Sequence, residues 1–198
     1  MDIEGRGSAG VALLAKGAGL THITVGLGWD PDLTGSTEFD LDASAIALTA
    51  DGRAASRDFF VYFNNLASPR HEIVHRGDNL TGAAEGNGTG DPGDDEQIDI
   101  RLDRLSHSIT RIVFPVSIYH AEDRQQSFGD VRNAYIRVLD AENGNQIARY
   151  DLTTQAATET AMLFGEVARE GNGWTFRALG EGRVTGLTGI AREYGLDV

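Results

Sequence analysis

A chain of 198 residues is long enough to bury roughly 70 % of its unfolded surface in one core, so a single domain is expected. The absence of cysteine excludes disulfide frameworks, thiolate zinc sites, iron–sulfur clusters and cysteine nucleophiles. Seventeen basic against thirty acidic residues give a formal charge of −13, which repels phosphate backbones and argues against nucleic acid as a direct ligand.

No apolar run approaches the roughly 20 residues of a membrane span, and the N-terminus lacks the basic-then-apolar pattern of a signal peptide. The expectation is a soluble, unexported protein without a transmembrane segment. Residues 1–10 carry little pattern, and Ile3-Glu4-Gly5-Arg6 spells a protease-linker sequence common in expression vectors. That tip is set aside as disordered or vector-derived, leaving 11–198 as the folded domain.

Val11 to Leu20 is expected to supply one β-segment. In His22-Ile23-Thr24-Val25-Gly26-Leu27 the apolar residues fall at alternate positions, the mark of a half-buried strand that ends before Pro31. Glu38 to Ser44 alternates likewise, which places Asp40, Asp42 and Ser44 on one side. The run then turns apolar (Ala45 to Leu48) and reaches a hairpin signal at Asp51-Gly52. Phe59 to Phe63 is an aromatic strand candidate that delivers Asn64-Asn65 at its end.

Glu72 to His75 leads into the most acidic stretch of the chain, Gly77 to Glu96. It holds Asp78, Asp91, Asp94, Asp95 and two glutamates and contains neither Lys nor Arg. Such a loop resists closing unless a cation neutralises it, and calcium suits the task because it takes about 6 to 8 oxygen ligands in irregular geometry. Beyond it, Ile98, Ile100 and Leu102 alternate with polar residues, and Ile112 to Ile118 is nearly continuous in apolar residues, as in a strand covered on both faces with a bulge at Pro115. Ala134 to Leu139 and Gln146 to Leu152 flank an Asn143-Gly144 turn and should form a hairpin. A second hairpin is expected from Thr158–Arg169 and the Trp174-Thr175-Phe176 run, then a short helix over Gly186–Tyr194 stopped by Gly195. Many short strands separated by turn signals indicate an all-β-dominated fold, an antiparallel β-sandwich with short peripheral helices.

The strand ends converge on one rim if the connections are short. Asp30, Asp40, Asp42, Asn64, Asp78, Asn79, Asp94, Asp95 and Glu96 would then share a coordination sphere with more oxygens than one calcium requires, so two Ca2+ are expected. This is not an EF-hand, because Ala45 stands where the sharp turn needs Gly and Asp51 where the loop ends in Glu.

The rival chemistry is a metal-dependent hydrolase using the acidic cluster or His71-Glu72-Ile73-Val74-His75, a literal H-E-x-x-H. On a helix the two His would lie about 5–6 Å apart and bind zinc. Pro69 and Gly77 bracket too short a run for that helix, and in a strand the two lie roughly 13 Å apart. His120 and Glu122 could extend a metal site, although an exposed loop pair is the better account of them.

Several motifs in one order now bear on family. Gly26-Leu27-Gly28-Trp29-Asp30, Phe39-Asp40-Leu41-Asp42-Ala43-Ser44-Ala45, Asn64-Asn65, Gly77-Asp78-Asn79-Leu80-Thr81-Gly82, Asp94-Asp95-Glu96-Gln97, Asn133-Ala134-Tyr135-Ile136-Arg137, Ala148-Arg149-Tyr150-Asp151-Leu152 and Thr158-Glu159-Thr160-Ala161-Met162 together resemble the TerD family of tellurium-resistance and stress-response proteins. The resemblance implies a calcium-binding β-sandwich, cytoplasmic and peripheral at the membrane, that acts in complexes with other stress-response proteins and has no established catalytic activity. It departs from the family pattern in its N-terminal β-segments and in the longer insert Ala83 to Gly93, which bears on whether Glu85 and Asp91 join the site.

Overall fold

The computed structural model describes residues 11–12, 14–15, 18–31, 38–80, 93–151 and 158–198. The excluded tip and residues 83–92 of the insert Ala83 to Gly93 lie outside that set. The strands are β1 (Val11–Ala12), β2 (Leu14–Ala15), β3 (Ala18–Gly19), β4 (His22–Gly28), β5 (Leu41–Ala43), β6 (Ala45–Leu48), β7 (Phe60–Val61), β8 (Ile73–His75) and β9 (Glu96–Arg101). They continue as β10 (Arg111–Ile118), β11 (Tyr135–Asp140), β12 (Gln146–Asp151), β13 (Ala161–Glu170) and β14 (Gly173–Arg183). Helix α1 (Ala121–Arg124) sits in the connection after β10, and α2 (Gly186–Glu193) near the C-terminus.

All strand pairings among the described residues are antiparallel. One sheet runs β12-β11-β4-β9-β8; the other runs β1-β14-β13-β10-β6-β7, with β5 also paired to β10, and β2-β3 form a small hairpin. Val11 to Gly19 therefore holds three short strands where one segment was expected, and β1 closes the edge beside β14.

The two sheets enclose the main core. Ile23, Val25 and Leu27 of β4 and Ile98 and Ile100 of β9 meet Ile112, Phe114 and Val116 of β10 and Met162 and Phe164 of β13. The opposite face of the second sheet carries Ile46, Leu48, Val113 and Leu163, and Ile190, Ala191 and Leu196 cover it from α2 and the segment after it. A sheet with apolar cover on both faces has no solvent side, so β10 and β13 read as continuous apolar runs instead of alternating ones. Pro115 has no N–H to return to the strand opposite it, so the ladder breaks at Ser44 between β5 and β6, and the register with β13 shifts at Phe114/Pro115. That break ends β5 beside the acidic rim.

The aromatic run Phe59 to Phe63 gives only two strand residues, because the chain reverses where the amide N–H of Asn65 donates to Tyr62 O at 2.8 Å. His71-Glu72-Ile73-Val74-His75 is not helical. Its last three residues are β8, with His71 exposed at φ 57° and His75 buried.

Candidate metal centre

Period two along β5 sends Phe39, Leu41 and Ala43 into the core and leaves Asp40 and Asp42 on the opposite side. Both carboxylates are nevertheless buried, at 5 % and 4 % exposure. The third acid arrives from the loop after β8: Gly77, at φ 129°, turns the chain after His75 and delivers Asp78. One carboxylate oxygen from each of Asp40, Asp42 and Asp78 can be chosen so that all lie within 4.8 Å of one another.

Those charges oppose one another in a poorly solvated place. Burial above all, then the neighbouring Glu96, Asp40 and Asp78, push the Asp42 carboxyl up to about 8. Burial and Asp78 likewise raise Asp40, against the smaller opposing pull of Arg124 and His120. Asp40 Oδ1 is buried with no hydrogen-bond partner among the described residues. A buried carboxylate oxygen without a hydrogen-bond partner, on a member of a carboxylate cluster, is a costly arrangement for a protein alone, and a well-suited one for a protein with a cation.

Glu96 and His75 form the floor beside the trio. Glu96 Oε2 accepts the amide N–H of Ala43 at 2.6 Å, and Oε1 accepts that of Asn79 at 3.2 Å. Burial holds the Glu96 carboxyl well above the usual range despite those two donors. His75 Nδ1 accepts the Gly77 N–H, which leaves Nε2 to carry the proton toward Glu96 Oε2, 3.4 Å away. Burial also lowers His75, so the ring is neutral.

A second acidic group adjoins the first. Asp95 Oδ2 accepts the Trp29 N–H at 3.0 Å, and its Oδ1 accepts from Asn79 Nδ2 at 3.3 Å. Burial raises Asp95, and the charges of Asp94 and Asp30 add to the effect. Asp30 is exposed and accepts from Asn133 Nδ2 at 2.6 Å. Asn79 thus joins the two groups, its N–H on Glu96 and its side chain on Asp95.

Of the nine residues expected from the sequence, seven lie along this continuous rim: Asp30, Asp40, Asp42, Asp78, Asn79, Asp95 and Glu96. Asp94 is elsewhere. It lies across Gly26 on the outer face of the five-stranded sheet, where its Oδ1 accepts from Arg137 Nε at 2.7 Å and from the Tyr135 hydroxyl at 3.0 Å, and its Oδ2 from Gln97 Nε2 at 3.0 Å. Asn64 is exposed in the turn before Asn65, whose Nδ2 donates to Phe60 O at 2.6 Å.

Sequence reasoning missed Arg124, whose Nη1 stands 3.8 Å from Asp40 Oδ2, and Tyr119, under the same guanidinium at 5.6 Å. Neither has a sequence signal, because a lone Arg in a polar connection reads as surface. His120 does face the site electrostatically, but its Nδ1 pairs with Asp123 at 2.9 Å.

The H-E-x-x-H residues are otherwise engaged. Glu72 is buried and accepts from Ser68 Oγ at 2.8 Å and Arg70 Nε at 3.0 Å. The donors gathered on the rim are oxygens, and the imidazoles of His75 and His120 are already engaged, with Gly77 and Glu96 and with Asp123. That set fits a hard cation such as calcium and lacks the nitrogen or sulfur ligands that zinc favours.

Comparison with known proteins agrees with this reading of the fold. A model of the TerD domain matches residues 1–194, including the tip set aside above. The chain is 42 % identical over 187 residues to a tellurium resistance protein TerD of Serratia marcescens, covering 94 % of each. It is 41 % identical over 189 residues to general stress protein 16U of Bacillus subtilis, covering 95 % of this chain and 94 % of that protein. Among solved structures, a homologue of telluride resistance protein (TerD) from Streptomyces coelicolor superposes with TM-score 0.71 at 28 % identity, covering 91 % of this chain and all of the other.

Proposed function

This chain belongs to the TerD family of tellurium-resistance and stress-response proteins, and from that premise we propose that it is a calcium-binding module acting through assembly and not catalysis. The observation that carries the reading is the unpartnered, buried Asp40 Oδ1 beside Asp42 and Asp78. A cation there would supply charge neutralisation. It would allow three carboxylates to ionise together, and it would fix the loop at Gly77 against β5. Asp40, Asp42 and Asp78 are the ligands of one ion, with Glu96 holding the β5 backbone in place behind them. Asp30, Asp95 and the Asn79 side chain are the donors of a second. The ordered, less negative rim would then meet its partners, other stress-response proteins in the cytoplasm gathered at an anionic membrane face.

Metal analysis and calcium titration with thermal melting test the reading. At free calcium about a hundredfold above the dissociation constant, binding adds roughly 2.7 kcal/mol. For a chain of this size that is a rise of about 5–10 °C in the midpoint. Asp78→Asn should raise the calcium-free midpoint by relieving repulsion, and should remove most of the calcium-induced rise. A parent protein whose midpoint ignores calcium overturns the proposal.

A further inference from the structure

Asp42 serves two places at once. Besides the acidic trio it lines a groove of about 340 Å³ on the face of the seven-stranded sheet that also carries α2. One wall of this groove is aromatic. Phe60 stacks on Tyr62 with ring centroids 4.3 Å apart, Tyr62 meets Phe63 edge-on at 5.2 Å, and Phe63 meets Tyr119 edge-on at 5.9 Å. Tyr119 is 39 % exposed, with the Arg124 guanidinium over its ring at 5.6 Å from the centroid.

The groove is also lined by the start of α2, with Thr185, Gly186, Leu187 and Thr188, and by His120 and Val198. Thr185 makes no side-chain capping hydrogen bond there, and the first turn contains no acidic residue. The positive end of the helix is therefore not offset by its own side chains. The groove thus joins a helix N-terminus, an aromatic wall and a cation site.

Three carboxylates that each bind through one oxygen supply three ligands, whereas calcium takes about 6 to 8. Asp42 places the ion beside the groove, so the groove is a route by which further oxygens reach it. Resting on the calcium reading above, we propose that this groove binds a small aromatic carboxylate, whose oxygens complete the coordination of the ion held by Asp40, Asp42 and Asp78 while its ring packs against Tyr62, Phe63 and Tyr119. The ion and the helix end both select an anion, the wall selects a flat apolar body, and the volume fits a single-ring metabolite. Without calcium the same acids repel a carboxylate, so binding is calcium-dependent.

Isothermal titration of phenylacetate into the full chain tests this, after a calcium titration of the same protein. The expected result is saturable binding with calcium, at least tenfold weaker binding with chelator, and acetate at least tenfold weaker than phenylacetate. Tyr119→Ala should weaken phenylacetate at least fivefold, and Thr188→Glu, which puts an anion at the helix end without opposing the helix dipole, at least tenfold. Thr188→Glu should keep calcium affinity within threefold of the parent. Calcium binding without phenylacetate binding overturns this inference alone, and absence of calcium binding overturns it together with the reading beneath it. Phenylacetate affinity that is equal with and without calcium, or unchanged in both variants, overturns it as well.

Discussion

Asp42 is the residue at which burial and function are set against each other, and its protonation gives the conflict a measurable sign. Its carboxyl sits at about 8 in the folded chain against an ordinary 3.8, so the folded state holds a proton that the unfolded state has released. The stability this contributes is full below pH 3.8 and is lost as pH rises through about 8. Glu96, Asp40 and Asp95 are raised too and act in the same direction, whereas His75, lowered below 6.5, acts only on the acid side. Melting curves of the calcium-free protein between about pH 6.5 and 8.5 should therefore show a falling midpoint, by about 2–4 °C for each kcal/mol lost. Asp42→Asn should flatten part of that slope. Calcium must displace the same proton, so its affinity should climb over this interval, and titration at the two ends checks it. A calcium-free midpoint that rises across the interval would show that Asp42 is ionised at no cost.

At the scale of the element, β4 shows why a glycine is set between apolar residues. Gly26 faces outward under the Asp94 carboxylate, and a Cβ at that position would overlap it. The carboxylate cannot swing aside, since Arg137, Tyr135 and Gln97 all hold it. Gly26→Ala should consequently cost about 1–3 kcal/mol by overpacking, read as a lower denaturant midpoint, while calcium affinity stays within about twofold. A fully tolerated alanine would mean the Asp94 network is loose. The same network marks the limit of what sequence shows. Asp40 and Asp42 were legible because period two fixes their common side wherever the strand begins, and Asp78 because an acidic loop without Lys or Arg has few other uses. Asp94 stands in that same loop, yet its partners Arg137 and Tyr135 lie on β11, two strands from β9, which no local pattern reports. β10 was legible from its apolar run, β13 as one arm of a hairpin with the Trp174-Thr175-Phe176 run, and α2 from the short stretch stopped by Gly195. The end of β7 was not, because β-propensity favours Tyr62 and Phe63 as strand residues and says nothing of where the backbone must reverse. Three rings of the aromatic wall stand in the Phe59 to Phe63 run, but its fourth, Tyr119, joins them from a segment more than fifty residues away, which no local pattern reports.

For the molecule as a whole, the question is whether calcium acts by cancelling general charge or by completing one built site. A chain of formal charge −13 repels itself, and added salt screens that repulsion over a Debye length of about 8 Å at physiological ionic strength. Screening reaches exposed charges such as those of Asp30 and Asp78. It reaches Asp40, Asp42 and Glu96 poorly, because they are at most 5 % exposed, and the unpartnered Asp40 oxygen gains nothing from a diffuse ion atmosphere. The two mechanisms therefore separate by experiment. Raising sodium chloride from about 0.05 to 0.5 M should lift the calcium-free midpoint modestly, and a saturating calcium addition at high salt should still give more than half of its low-salt rise. Asp78→Asn should keep most of the salt response and lose most of the calcium response. If high salt alone brings the calcium-free protein to the calcium-saturated midpoint, then charge in bulk, and not the buried trio, is what the ion relieves.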